Sequence, residues 1–289
     1  MRRTDSRVAL GLYRSRHERG LLEGALTLGV RALDTSYNYL GFTSHRTLAR
    51  TAGDLLPEFM ISTKVGFFPG TAGAGHSLDA RRLHEAVEES AEDLCRPPDV
   101  VLLHNPERTL ASLPPDAGSD CLASACTALH GASTTGLCGS WGVSSWDPRP
   151  VLAVLTSAGS AAIPTPDVLM SRAGLLVSAD ILDTCDTLAA RWDLDVSARW
   201  GMSPFAGHAT DPVWATVNVH AFLEAREECS ALQAAFRAAY ELPPVSRIAV
   251  GTNSVEHLRD LVTALRLRAD KNRIGSYREL LRAKATTAK

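Results

Sequence analysis

Residues 59–66 read Phe-Met-Ile-Ser-Thr-Lys-Val-Gly, and residues 98–104 read Pro-Asp-Val-Val-Leu-Leu-His. Both are short apolar and β-branched runs bounded by Gly, Pro or Asp, the pattern of strands buried on both faces of a parallel sheet. Six further runs of the same kind flank them: VALGLY (8–13), RALDTS (31–36), LCGSWGVSS (137–145), PDVLMSRA (166–173), LDVSARW (194–200) and SRIAVGT (246–252). Between the runs, apolar residues recur at helical spacing. One stripe is Ala80, Leu83, Val87, Ala91 and Leu94, a second is Leu232, Ala235, Phe236 and Ala239, and a third is Leu258, Leu261, Val262 and Leu265. Ser77 or Asp79 is a candidate N-cap for the first stripe, and Ser254 for the third.

The count is eight strand-then-helix units with no long Pro/Gly/Ser linker between them. Alternation of β and α predicts a parallel sheet. Eight uninterrupted units favour an α/β fold closed as a (β/α)8 TIM barrel of eight parallel strands over an open doubly wound sheet. No G-x-G-x-x-G follows the first strand, which weighs further against the open sheet. We therefore expect one barrel domain spanning residues 1–289, with an additional helix near 276–286. Pro106–Ser119 and Ser203–Thr216 read as long strandless loops over the C-terminal face, where barrel chemistry sits.

Composition agrees with a folded chain. Hydrophobic residues make up 45% of 289, charged residues 21%, and the formal net charge is −2. That is too apolar for disorder and has no basic footprint for nucleic acid. No apolar run approaches the roughly 18 residues of a membrane helix. Six cysteines, at 95, 121, 126, 138, 185 and 229, form no C-x-x-C pair. We expect them to be reduced, in a cytoplasmic protein with no metal site. Only four of the 30 basic residues are lysines, and Lys64 is the one lysine before residue 271. The Arg-over-Lys bias suits a high-GC genome, a compositional hint of metabolite tailoring.

Reactive groups of a barrel belong at strand C-termini, and four residues meet that demand: Asp34, Tyr39, Lys64 and His104. An Asp and a Lys inside apolar runs are costly to bury singly, so a mutual ion pair is the simplest account. Each alone also has a bland reading, as a buried bridge, a loop aromatic or a core histidine. Their occurrence together at successive strand ends points to chemistry. His45 and His84 read as surface or interface histidines.

Asp34-Thr35-Ser36-Tyr37-Asn38-Tyr39, Ile61-Ser62-Thr63-Lys64-Val65-Gly66 and Leu102-Leu103-His104-Asn105-Pro106 resemble the three tetrad segments of the aldo-keto reductases. These are (β/α)8 enzymes that use NAD(P)H without a Rossmann domain. Ala9-Leu10-Gly11-Leu12-Tyr13 is similar to their first strand, and Gly142-Val143-Ser144-Ser145-Trp146 to the strand under the nicotinamide. Met202-Ser203-Pro204-Phe205-Ala206-Gly207 resembles the pyrophosphate loop. The stretch from Ile248 to Leu258 resembles the last strand and the helix at the adenosine phosphate. The resemblance covers nearly the whole chain and implies an NAD(P)H-dependent reductase of an aldehyde or ketone. Tyr39 would be the general acid, Lys64 would lower its pKa, Asp34 would hold Lys64, and His104 would hydrogen-bond the carbonyl oxygen.

The cofactor contacts implied are Gly11, Leu12, Ser144, Ser145, Met170, Met202, Ser203, Gly251, Thr252, Asn253, Ser254 and His257. The cradle departs from the family pattern at three places: Ser145 stands where Asn is usual, Met170 where Gln is usual, and Met202 where a stacking aromatic is usual. Trp200 is a candidate replacement surface and Arg172 a candidate contact. NADPH is the family default, with NADH the other reading, because Gly251 and His257 occupy positions where the family often carries basic residues. Tyr13, Phe67, Trp141 and Trp146 are candidate substrate contacts, with Tyr37 and Phe68 as further candidates. Arg14 is placed either to receive an anionic or polyhydroxylated group or to face solvent. Two other functions stay open: a nucleotide- or metabolite-binding barrel with a regulatory role, and a non-redox lyase or isomerase using Tyr39 and Lys64. The partner implied is a small carbonyl compound, with neither nucleic acid nor membrane.

Overall fold

A computed structural model describes residues 7–71, 73–157, 162–224 and 228–287. Eight parallel strands close into a barrel: β1 (Val8–Gly11), β2 (Ala32–Asp34), β3 (Met60–Val65), β4 (Val100–His104), β5 (Ser140–Ser145), β6 (Val168–Arg172), β7 (Arg199–Met202) and β8 (Arg247–Gly251). Each pairs with its neighbours in chain order, and β1 closes on β8 with Val8 opposite Ile248 and Gly11 opposite Gly251. The approach there is close and favours glycine: a Cβ on Gly11 would lie 3.2 Å from the Val250 carbonyl carbon, so the backbone would have to give by a few tenths of an ångström.

Side chains alternate across each strand. One set, Ala9, Ala32, Val100, Leu102, Val168, Met170, Trp200 and Ala249, fills the barrel interior. The other set packs outward against the helices in two larger clusters. Two residues beyond the interior set, the same face of the strands presents Gly11, Asp34, His104, Ser144, Arg172, Met202 and Gly251 at the C-terminal mouth. The register confirms the layer, with Gly11 opposite Asp34, His104 opposite Ser144, and Arg172 opposite Met202.

Two local expectations are corrected, the run 194–200 and the start of the last helix, and the loops and a ribbon carry detail beyond the sequence reading. The run 194–200 is not mainly strand: Val196–Ala198 is a 3-10 turn, and β7 begins only at Arg199. Asp195 accepts from the Ser197 and Ala198 amides, a local bond that outcompetes a ladder bond. The loop after β4 carries the short helix Glu107–Leu110 and then the start of helix Pro115–Thr134, and the loop after β7 ends in Val213–Thr216. After β3 an antiparallel ribbon pairs Phe67–Phe68 with Gly75–His76, which no sequence signal announced. The last helix, Lys271–Thr287, starts earlier than expected because the Asp270 carboxylate accepts from the Arg273 amide. Its polar composition hid that first turn, although Ile274 is buried. Asp79 and Ser254 do cap their helices, accepting from the Arg82 and His257 amides. Among the described residues no helix is long and apolar enough to cross a membrane.

Candidate active site

The polar centre lies at the ends of β2, β3 and β4. Lys64 Nζ donates to Asp34 Oδ2 at 2.6 Å and to the Thr35 carbonyl at 2.9 Å, and Ser62 Oγ donates to Asp34 Oδ1 at 3.0 Å. The two side chains are only 2% and 8% exposed. Burial penalises the ammonium, but Asp34 and Tyr39 together outweigh that penalty and hold the Lys64 pKa above its ordinary value. Thr35 is braced in turn: His17 Nε2 lies 2.6 Å from Ser44 Oγ, which lies 2.6 Å from Thr35 Oγ1.

Tyr39 follows β2 and is half-buried, with its amide donating to the Ser36 carbonyl at 3.1 Å. Lys64 Nζ is 5.4 Å from its ring centroid. The net direction of its pKa is upward, because burial of the phenol exceeds the downward pull of Lys64. Lys64 does pull the phenol down, as expected, but desolvation, which sequence alone could not weigh, is the larger effect. His104 is buried, and desolvation, aided by Lys64, His76 and Arg108, drives its pKa well below the usual imidazole range, so the ring is neutral. The single Ser36 hydroxyl proton has three acceptors in reach: Asn38 Oδ1 at 2.7 Å, the Lys64 carbonyl at 3.2 Å and His104 Nδ1 at 3.1 Å. When it goes to Nδ1, the neutral ring carries its own proton on Nε2.

The other expected contacts divide. Met202 and Gly251 reach the mouth beside this centre, and Gly11 and Ser144 lie buried in the same layer, with Ser144 Oγ 4.0 Å from Met202 Sδ. Ser145 faces the opposite way, its hydroxyl donating to Glu107 Oε2 at 2.8 Å. Met170, 1% exposed, fills the barrel interior, and Leu12, 0% exposed, belongs to the outer core. Trp200 is also interior, under Arg247 at 4.5 Å, so it offers no face at the mouth. Ser203 and Ala206 take left-handed backbone (φ 54° and 52°) in the loop after β7. Thr252 Oγ1 accepts from the Ser254 amide at 3.0 Å, Asn253 Oδ1 accepts from the Arg16 amide at 3.4 Å, and exposed His257 lies in the first turn of helix Val255–Ala264.

Of the substrate candidates, Tyr13 is 58% exposed and packs on Tyr39 with centroids 5.3 Å apart. Phe67 meets His104 edge-on at 4.9 Å. Trp146 is 43% exposed under Arg172, whose Nε donates to the Trp146 carbonyl at 2.9 Å. Trp141 is 1% exposed, early in β5 and edge-on to His130, so it has no surface for a substrate. Tyr37 donates to Glu89 and joins Phe68 in the outer core.

Sequence reasoning missed three supports. His76, on the unannounced ribbon, bonds the His104 carbonyl at 2.8 Å and Thr109 Oγ1 at 2.7 Å. Glu107 is buried and accepts from Ser145 Oγ and from the Trp146 and Asp147 amides, fixing the loop after β5. Burial raises its pKa despite those bonds. Its position three residues after His104 was the available signal. Ser36 sits inside the quoted Asp34–Tyr39 segment but showed no role. Seven of the nine non-glycine residues with positive φ among the described residues (Arg14, His17, Leu40, Phe42, Asn105, Ser203 and Ala206) lie in loops at this mouth. Such backbone conformations persist where surrounding structure holds them, and they cluster at functional sites.

The expectation for His45 is corrected: it is 3% exposed, with Nε2 2.7 Å from Thr63 Oγ1, because helix Ser44–Ala52 turns that face onto β3. His84 is half-buried, beside Glu88. Burial lowers the His45 pKa to about 4 from 6.5. The unfolded chain therefore takes up a proton that the folded chain refuses. The stabilisation is complete above about pH 6.5 and is lost as pH falls toward 4, about 3 kcal/mol over that window. Urea unfolding from pH 7 to pH 4 is expected to show this loss, and a smaller loss in His45→Gln. Equal slopes for both proteins would overturn the assignment.

A sequence profile of the Aldo/keto reductase family matches residues 13–187, more than half of the chain. The chain belongs to this family. As an aldo-keto reductase it is an NAD(P)-dependent oxidoreductase acting on carbonyl groups. Solved structures share its fold at low identity. The holo form of an aldo-keto reductase from Bacillus halodurans is 16% identical, with 95% of this chain and 91% of that one covered and a TM-score of 0.71. An aldo-keto reductase from Klebsiella pneumoniae in complex with NADPH is 17% identical, with 95% and 90% covered and a TM-score of 0.66. An aldose reductase from Schistosoma japonicum is 14% identical, with 94% and 87% covered and a TM-score of 0.66. No curated protein matches this sequence.

Proposed function

We propose that this aldo-keto reductase converts an aldehyde or ketone to the alcohol with NADPH, using Tyr39 as the general acid. The observation that carries the reading is the buried Lys64–Asp34 pair beside Tyr39, with neutral His104 next to it. The residues at the mouth fit a nicotinamide. Gly11, Ser144 and Gly251 leave a wall of small side chains beside the tetrad, and a Cβ at Gly251 would meet nothing nearer than two carbonyl oxygens at 3.6 Å. Ser144, Met202 and Gly251 would hold the redox end. Ser203 and the segment Thr252–Ser254, with His257, would hold the phosphates. The cofactor, when bound, supplies hydride to the carbonyl carbon.

The remaining chemistry belongs to the chain. The raised pKa keeps Tyr39 protonated near neutrality, so the acid is loaded before each turnover. As the oxygen gains charge, Tyr39 gives up its proton, and Lys64, kept cationic by Asp34, stabilises the phenolate left behind. Neutral His104, with Ser36 on Nδ1, presents Nε2–H to the same oxygen.

A second reading, a dinucleotide-binding barrel with little turnover, is favoured by one observation: Ser145 is committed to Glu107 and Met170 is apolar, so the carboxamide has fewer partners. Parallel fluorescence titrations with NADPH and NADH, followed by NADPH oxidation over a carbonyl panel, separate the two. We expect tighter binding of NADPH and carbonyl-dependent oxidation. Binding without oxidation supports the second reading, and binding of neither cofactor overturns both.

A further inference from the structure

Four rings form a continuous row across the mouth. Tyr13 packs on Tyr39 at 5.3 Å, Tyr39 faces His104 at 6.4 Å, and His104 meets Phe67 at 4.9 Å. A guanidinium covers each end: Arg14 lies 5.0 Å from the Tyr13 ring, and Arg108 lies 5.5 Å from the Phe67 ring. Among the described residues, neither arginine has a carboxylate within ion-pair distance. The contrast with the neighbourhood is informative, since Arg16 pairs with Glu18 and Arg149 with Asp147. The two acids nearest the centre are consumed inside it, Asp34 by Lys64 and Glu107 by backbone amides and Ser145. Among the described residues, positive charge without a paired carboxylate is thus left at both ends of an aromatic row, on a chain whose net charge is −2.

A cation over a ring gains only about 0.5–1 kcal/mol at an exposed site, so the rings orient the guanidiniums without using their donors. Those donors match carboxylate and phosphate oxygens in bidentate geometry. Backbone geometry holds both residues. Arg14 sits in left-handed conformation (φ 58°) directly after Tyr13, and the Arg108 amide donates to the Asn105 carbonyl at 3.0 Å in helix Glu107–Leu110. Arg172 stands on β6 beside the Ser203–Pro204 loop and is not part of this row.

We propose that the substrate is an anionic carbonyl compound: a planar, apolar aldehyde or ketone that lies along the Tyr13–Phe67 row and carries a carboxylate or phosphate bound by Arg108 or Arg14. This rests on the carbonyl-reductase reading and gives it a substrate class. A carbonyl between Tyr39 and His104 sits mid-row, so a substituent extending either way meets a guanidinium.

The test compares 4-carboxybenzaldehyde with its methyl ester at saturating NADPH, in the unmodified enzyme and in Arg14→Met, Arg108→Met and the double variant. Met keeps apolar cover on each ring without the charge. We expect the unmodified enzyme to favour the carboxylate. We expect the double variant to raise KM for the carboxylate by at least about tenfold, the scale of one charged hydrogen bond, with the ester changed less than about threefold. Equal changes for both substrates, or no preference at the start, overturn the proposal. So does weakened NADPH binding in the variants, which would assign the guanidiniums to the cofactor. Calorimetric titration with 4-carboxybenzyl alcohol and its ester, with and without NADPH, keeps the two readings apart. Arginine-dependent binding of the acid without turnover retains the anion site at the ends of the row and sinks the reductase reading. Turnover without charge preference does the reverse.

Discussion

Tyr39→Phe is expected to lower carbonyl reduction by about 10²–10⁴-fold, the usual contribution of a positioned general acid. NADPH affinity should stay within about threefold. The substitution removes one oxygen and keeps the ring that packs on Tyr13 at 5.3 Å and faces His104 at 6.4 Å, so the mouth should not collapse. Steady-state rates and a fluorescence titration on the same preparation check both halves. Undiminished turnover would remove Tyr39 from the mechanism. The same assignment sets the pH dependence. The Tyr39 phenol is held above its ordinary value near 10 and His104 well below its ordinary value near 6.5. Reduction should therefore be level through neutrality, without a histidine step at pH 6–7, and should decline only in alkali as the acid is lost.

Lys64→Met is expected to cost about 3–5 kcal/mol of folding stability as well as activity, because it strands Asp34 as an unpaired, almost fully buried carboxylate. Ser62 Oγ is the only side-chain hydrogen bond that carboxylate would retain among the described residues. Urea unfolding measures the loss. The double variant Asp34→Leu/Lys64→Met should recover most of it while remaining inactive, since a well-packed apolar pair removes the desolvation penalty together with the attraction. A single variant within about 1 kcal/mol of the parent, or an active double variant, would show that the ion pair is neither structurally nor chemically central.

Much of this was legible from residue order. The strand runs at 59–66 and 98–104 became β3 and β4 nearly as read, because strands buried on both faces are continuous in sequence and need no partner to be recognised. Asp34 and Lys64 were recognisable as a pair for the same reason, since a buried charge must have an opposite one. The run 194–200 failed because the carboxylate of Asp195 captures nearby amides, and apolar content does not register that competition. His45 read as a surface or interface residue because only packing decides which face of helix Ser44–Ala52 meets β3.

Order along the chain determined the barrel, the four polar strand-end residues and the lysine without a rival, since these depend on local pattern and on the cost of burying charge. Tertiary structure alone decided what those residues feel and who stands beside them. Desolvation, which depends on everything packed around a group, outweighs Lys64 at Tyr39 and neutralises His104. The alternation of β5 turns Ser144 inward and Ser145 away. Tyr13, Tyr39, His104 and Phe67 come from four separate segments, and only closure of the barrel lines them into one row with an arginine at each end.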